Sequence, residues 1–396
     1  MNYCPDHFET PGYISPHEKR LVTTTIVPMG TVLAEPVEQI ASVAELRAGL
    51  LAWYELNLRD LPWRHTRDPY AIWVSEIMLQ QTRVAAVIGR YESFLRNFPT
   101  VAALAHADEA DVLAQWSGLG YYRRARMMHK AAKAVVEENR GVMPKTAATL
   151  RKLPGIGAYT SAAIASIAYG EPVAVVDGNV ERVVQRLAGI GSDARAGQSE
   201  LARKTEQLAG QLLDPKRAGD FNQSMMELGA TVCLPRGPMC LVCPLRKMCK
   251  TRGEHPTPVR AKMRSEDAAY ALIIRSGRSG RNRRLGREVL LHQRGADQTV
   301  MPGMWELPAL RSTEVAGPDV KMAVRHAIMQ VNYYVRIRSL KEEEADALIV
   351  PAKTPAETRK WVRIPELGTL PLTGLTRKVL IRSRLAELTP IIPAIG

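Results

Sequence analysis

The sequence predicts a multidomain chain. A nearly all-α first part carries a helix–turn–helix hairpin and ends in a cysteine loop, and a smaller α+β part follows. Three observations predict it. At 396 residues the chain is too long for one small core. Apolar positions recur at helical spacing from Val43 to Val232. Beyond the cysteines the pattern changes to short β-branched runs.

Residues 1–43 mix prolines with no clear period and read as an N-terminal tail. Ile77, Val84, Ile88, Tyr91 and Leu95 predict one helix over 71–98. Further helices are expected over Ala107–Gln115, Tyr122–Asn139, Thr146–Leu153, Val180–Leu187, Gln198–Leu213 and Asp220–Val232, separated by Gly and Pro punctuation. The helical domain is assigned to 44–232, a cysteine loop to 233–255 and a linker to 256–265. Residues 266–396 form the second domain. Its expected strands include "AAYALIIR", "REVLLHQR", "NYYVRIRSL", "ADALIV" and "RKWVRI", with a closing helix near Leu375–Leu388.

The net charge is +14, divided as −3 over residues 1–43, +7 over 44–255 and +10 over 256–396. Two successive basic regions suit a polyanion such as DNA, or simply a basic soluble surface. No apolar run is long enough to cross a membrane, and the N-terminus lacks a leader-like apolar stretch, so a cytoplasmic protein is expected. Four of five cysteines, Cys233, Cys240, Cys243 and Cys249, are spaced x6, x2 and x5; Cys4 stands apart. In a reducing compartment such clustering favours a metal site, either iron–sulfur or zinc.

"LPGIGAYT", Leu153–Thr160, places Gly155 and Gly157 in a tight turn before a helix that starts near Tyr159. Free N–H groups at such a helix start can bind phosphate without reading sequence. An ordinary glycine-punctuated corner is the alternative. Asp177, in "VVDGN", suits a helix N-cap, and also a carboxylate that steadies a sugar cation. On a helical wheel Glu76, Gln80, Arg83 and Arg90 share a face, either solvated or lining a polar cleft.

"LPGIGAYTSAAI", "VAVVDGNVERV" and the cysteine spacing resemble the endonuclease III superfamily of helix-hairpin-helix DNA glycosylases. "LPWRHTRDPYAIWVSEIMLQQTRV" and "WSGLGYYRRARMMHKAA" resemble its MutY-type adenine-specific members. The resemblance spans about residues 44–255. Farther on, "VLLHQR" and "GMWELP" resemble more weakly the Nudix-like domain of those enzymes, without the carboxylates that bind magnesium. The resemblance implies a monomeric, nucleoid-associated enzyme that removes adenine mispaired with 8-oxoguanine or guanine from double-stranded DNA. Alternatives are a thymine-mismatch or endonuclease III-like glycosylase, or a non-catalytic iron–sulfur DNA-binding protein.

The resemblance also implies roles. Glu76 is the general acid, and Asp177 supports the sugar cation. Asn179 orients Asp177 or the water, and the Tyr159 hydroxyl positions Asp177 or the cation. Tyrosine stands where bifunctional relatives carry the lysine that forms a Schiff base, so a monofunctional enzyme is expected. Arg64 and Glu227 contact the flipped adenine, while Gln81 and Tyr121 fill the gap in the duplex. Gly155 and Gly157 hold the backbone, and the four cysteines carry a 4Fe–4S cluster. Arg236, Arg246, Lys247 and Lys250 lie around it. From the residues alone, Trp116, Tyr121 and Tyr122 read as core aromatics. The family's Phe-Ser-His loop is replaced by Ile328, Met329 and Gln330, with His326 nearby.

Overall fold

The computed structural model describes residues 43–190, 198–254, 263–276, 286–310, 319–328, 330–351 and 358–386. The expected tail (all but Val43), Cys4, Met329 and residues 256–262 of the expected linker lie outside the described residues.

Helices run α1 (Val43–Asn57), α2 (Pro69–Leu79), α3 (Val84–Asn97), α4 (Val101–His106), α5 (Glu109–Gln115), α6 (Arg123–Asn139), α7 (Ala147–Leu150), α8 (Ala158–Tyr169), α9 (Gly178–Ala188), α10 (Gln198–Leu212) and α11 (Ala218–Thr231). Asp68 starts α2: its carboxylate accepts from the Tyr70 and Ala71 amides, and Pro69 follows with its φ already helical. Tyr70 through Met78 are all buried, so α2 is the central helix rather than a surface one. It packs against α8, which is apolar on nearly every side.

The single helix expected over 71–98 is two helices. The chain turns at 80–83, where Gln81 has a φ of 54°. The apolar period runs straight through this turn, because Ile77 on α2 and Val84, Ile88, Tyr91 and Leu95 on α3 are all buried or half-buried. The cause of the break lies elsewhere in the chain. Arg124, on α6, donates to the carbonyls of Ile77, Met78 and Gln80, which closes α2 and removes the need for a further turn.

Among the described residues the second region builds a seven-stranded sheet in the order β3-β2-β1-β6-β5, with β4 beside β1 and β7 beside β2. The strands are β1 (Arg264–Ser276), β2 (Arg287–Gln293), β3 (Trp305–Glu306), β4 (Ala309–Leu310), β5 (Val320–Ile328), β6 (Val331–Leu340) and β7 (Thr358–Arg363). β1 begins inside the expected linker. Its first ten residues pair in parallel with β6, and its last three pair antiparallel with β2. The closing helix, α13 (Gly374–Arg382), is capped by the Thr373 hydroxyl.

"ADALIV", expected as a strand, lies mostly in helix α12 (Glu342–Leu348). Glu342, Glu343 and Glu344 fill its first turn, where carboxylates favour a helix start, and Glu344 accepts from the Lys341 amide. Only Ile349 keeps a β-bridge, to Leu310.

The two regions share core. Met304 is fully buried within the helical cluster, and Met301 packs against it. The Leu372 carbonyl accepts from the Tyr122 hydroxyl at 2.8 Å and the Ser117 hydroxyl at 3.3 Å.

Candidate active site

One cavity of about 620 Å³ collects the chemistry. It is lined by Glu76 from α2, Tyr159 from α8, Asp177, Gly178 and Asn179 at the start of α9, and Gln223, Met226 and Glu227 from α11. Arg59, Trp63, Arg64 and the 79–82 turn complete the wall. The two carboxyl groups singled out in the sequence therefore share one cavity, together with Tyr159, Asn179, Arg64, Glu227 and Gln81.

Glu76 is 5% exposed. Burial pushes its carboxyl up from 4.5 to about 7, opposed by a hydrogen bond from Tyr159 and assisted by the nearby charge of Asp177. The Tyr159 hydroxyl donates to Glu76 Oε2 at 2.5 Å. Of the two partners expected for Tyr159, Asp177 or the sugar cation, Asp177 is not the one it bonds: the hydroxyl's carboxylate partner is Glu76. The phenol itself is held well above its ordinary value, by burial first and then by the Glu76 carboxylate.

Asp177 does what an N-cap does and leaves one oxygen for more. Its Oδ1 accepts from the amides of Asn179 and Val180, and its Oδ2 from the Asn179 side-chain amide at 3.0 Å. Asn179 Oδ1 in turn accepts from Arg182 Nη2 at 2.9 Å. Arg182 also donates to the carbonyls of Gly229 and Cys233. Arg182 was not singled out in the sequence, although its i+3 spacing from Asn179 on α9 was there to read.

Glu227 is 1% exposed and fully paired. Arg59 grips both of its oxygens at 2.7 Å, and Arg64 Nη2 reaches Oε2 at 2.6 Å. Burial would raise this carboxyl, but the two guanidinium bonds outweigh it and bring it to about 2. The cavity thus holds one carboxyl poised near neutrality and one fixed as an anion. Arg59, whose role no spacing suggested, is half of that clamp.

In the hairpin, Gly155 has a φ of 75°, and a Cβ there would meet Met127 Cβ at 2.6 Å. Only glycine fits. Gly157 is extended with open space around it, so the expected conformational need falls on Gly155 alone. Gly157 precedes α8 without a side-chain cap, which leaves the exposed helix start free to meet an anion.

The four cysteines line a second, small cavity with Arg186, Arg246 and Arg252. Arg186 is 3% exposed and donates to Cys233 Sγ at 3.4 Å and to the carbonyls of Leu234 and Pro235. The Arg252 amide donates to Cys249 Sγ. Among the described residues no three His, Cys, Asp or Glu side chains are drawn together as a single-ion site. Four sulfurs around one cavity, with donors aimed at two of them, fit a thiolate-held group. The amides of Lys250 and Thr251 cap the end of α9. Helix α9 thus starts at Asp177 and ends at the cysteine loop.

Residues 74–210 match the HhH-GPD superfamily of base excision DNA repair proteins. These residues thus form an HhH-GPD domain. Within it the MutY-type resemblance holds. An adenine DNA glycosylase of Homo sapiens is 49% identical over 222 residues, covering 54% of this chain and 40% of that protein. One from Arabidopsis thaliana is 39% identical over 309 residues, covering 69% and 48%. The chain therefore spans less than half the length of these relatives. A solved thermostable thymine-DNA glycosylase is 30% identical, with a TM-score of 0.48, covering 52% of this chain and 94% of that one.

In this HhH-GPD region, Gln81 and Tyr121 stand on two turns, both with left-handed backbones, at φ 54° and 48°. Tyr121 is 53% exposed, whereas Trp116 and Tyr122 are buried. The core reading holds for the latter two and fails for Tyr121. Ile328 is half-buried and Gln330 exposed at the β5–β6 turn, and neither lines the acid cavity. His326 packs near Gly374. No helix is long and apolar enough to cross a membrane among the described residues.

Proposed function

We propose that this chain is a monofunctional adenine DNA glycosylase of base-excision repair. Its substrate is double-stranded DNA in which adenine is mispaired with 8-oxoguanine or guanine, as encountered on the nucleoid of a cytoplasm. The observation that carries this reading is the shared cavity: Glu76, held near neutrality, and Asp177, tied down by Asn179, open onto the same space.

Adenine is a poor leaving group until protonated. A neutral Glu76 delivers a proton to the ring, N7 being the accessible position, and Tyr159 holds the acid in place. As the N-glycosidic bond lengthens, positive charge grows on the sugar, and the Asp177 carboxylate stabilises it. Water then adds at C1′, and the proton it loses returns to the Glu76 carboxylate left by the first transfer. Tyr159 cannot form a Schiff base, so the reaction stops at the abasic site. Arg64 and the Glu227 anion recognise the extruded base. Gly155 and Gly157 present the α8 start to a phosphate.

We assign Cys233, Cys240, Cys243 and Cys249 as the residues that would hold a 4Fe–4S cluster, whose service would be structural: four thiolate bonds would tie the cysteine loop together beside α9. Residues 44–232 make up the catalytic domain. Residues 266–396 form a Nudix-like domain that grips DNA by its charge, with Gln330 offering a hydrogen bond to the opposite base. The protein acts as a monomer.

The experiment is base release from matched duplexes carrying A opposite 8-oxoguanine, G, C and T, beside duplexes with mispaired T and with oxidised pyrimidines. Free adenine from the first two supports the reading. Release of thymine or an oxidised pyrimidine instead points to the alternative glycosylases. No release from any duplex leaves a DNA-binding protein without catalysis.

A further inference from the structure

The Arg124 guanidinium is the meeting point of two turns that are distant in sequence. Its Nη1 donates to the carbonyls of Ile77 at 2.7 Å, Met78 at 3.2 Å and Gln80. Its Nη2 donates to the Thr82 hydroxyl at 3.0 Å and to the carbonyls of Leu119 at 3.2 Å and Gly120 at 3.3 Å. Its Cζ lies 5.3 Å from the Tyr121 ring centroid and 5.5 Å from that of Trp116. One turn presents Gln81, the other Tyr121, and these two residues alone in the 71–122 stretch are non-glycine residues with left-handed backbones. A left-handed backbone is unfavourable for such residues and persists only where its surroundings hold it. Arg124 supplies that hold on both sides.

Resting on the adenine-glycosylase reading, we infer that Arg124 is a positioning residue that locks Gln81 and Tyr121 into one rigid pair, so that both enter the duplex together when the target base leaves. A planar fork of donors is needed for this. A lysine would supply the charge but could not span six acceptors on two turns. The fork also closes α2, the helix that carries Glu76, so a purely structural role predicts a loss independent of the intruding side chains. Positioning predicts that the loss disappears once the intruding side chain has gone.

The test is a double-mutant cycle in single-turnover adenine excision, with Arg124→Lys and Tyr121→Ala alone and combined. A 2-aminopurine beside the target adenine reports unstacking in the same reactions. Arg124→Lys is expected to slow excision and unstacking about tenfold in the wild type, and about twofold or less in the Tyr121→Ala background. The same tenfold loss in both backgrounds, or no loss in either, overturns the assignment. Should Arg124→Lys fail to fold, Thr82→Val removes one anchor only. It is expected to slow unstacking about threefold in the wild type and not at all with Gln81→Ala, and equal losses in both overturn the inference. A wild type that releases no adenine, yet unstacks the 2-aminopurine only with Arg124 present, contradicts the enzymatic reading and leaves the positioning role standing.

Discussion

Glu76→Gln should make the protein more stable while removing its acid. The side chain is 5% exposed, and burial is the largest cause of its raised carboxyl. Between 4.5 and about 7 the folded state holds a proton that the unfolded chain has released. Stability therefore falls as pH rises through that window, and the full loss is present above it. At about 1.4 kcal/mol per pH unit the loss comes to about 3 kcal/mol. Glutamine never ionises, and its amide oxygen still accepts from Tyr159, so the variant escapes the loss. Urea midpoints of both proteins, measured from pH 5 to 8, are the assay. The glutamine variant should gain steadily up to pH 7 and hold an advantage of about 3 kcal/mol at pH 8. A difference between the two proteins that does not vary with pH would refute the reasoning, because Glu76 would then not be an acid raised by burial.

The same group predicts the rate. Single-turnover excision should fall about tenfold per pH unit above 7 as Glu76 loses its proton; a flat profile to pH 9 would remove it as the proton donor. Arg64→Ala leaves the 1% exposed Glu227 with Arg59 alone, and should cost about 2–3 kcal/mol in a urea melt, whereas a cost near zero would mean the anion is not held by that pair. Gly155→Ala meets Met127 and a left-handed backbone and should cost about 2 kcal/mol, against under about 0.5 for Gly157→Ala; equal costs would contradict the hairpin geometry.

Much of the site was reached through the family resemblance rather than from the residues alone. Taken by themselves, Asp177 suited a helix cap, Glu76 a charged face shared with Gln80, Arg83 and Arg90, and the four cysteines either iron–sulfur or zinc. The structure brings Glu76 and Asp177 to one cavity from α2 and the head of α9. What could not be read was decided by partners far away in the chain. The break at 80–83 depends on Arg124, which has no periodic signature. Tyr159 faces Glu76 because α2 packs on α8, a contact that no local pattern specifies. Helix α12 was mistaken for a strand because "ADALIV" is apolar in both periods, and the helix-starting glutamates lie just before it. Met304 belongs by sequence to the second region, yet it fills the helical core.

The central claim is that two acids share one act of bond breaking on an extruded adenosine. Its most direct measurement is free adenine released from an A:8-oxoguanine duplex by the wild type, Glu76→Gln and Asp177→Asn, with duplex binding followed in parallel. The account predicts release by the wild type, essentially none by either variant, and binding retained in all three. Release by either variant at the wild-type rate would contradict it.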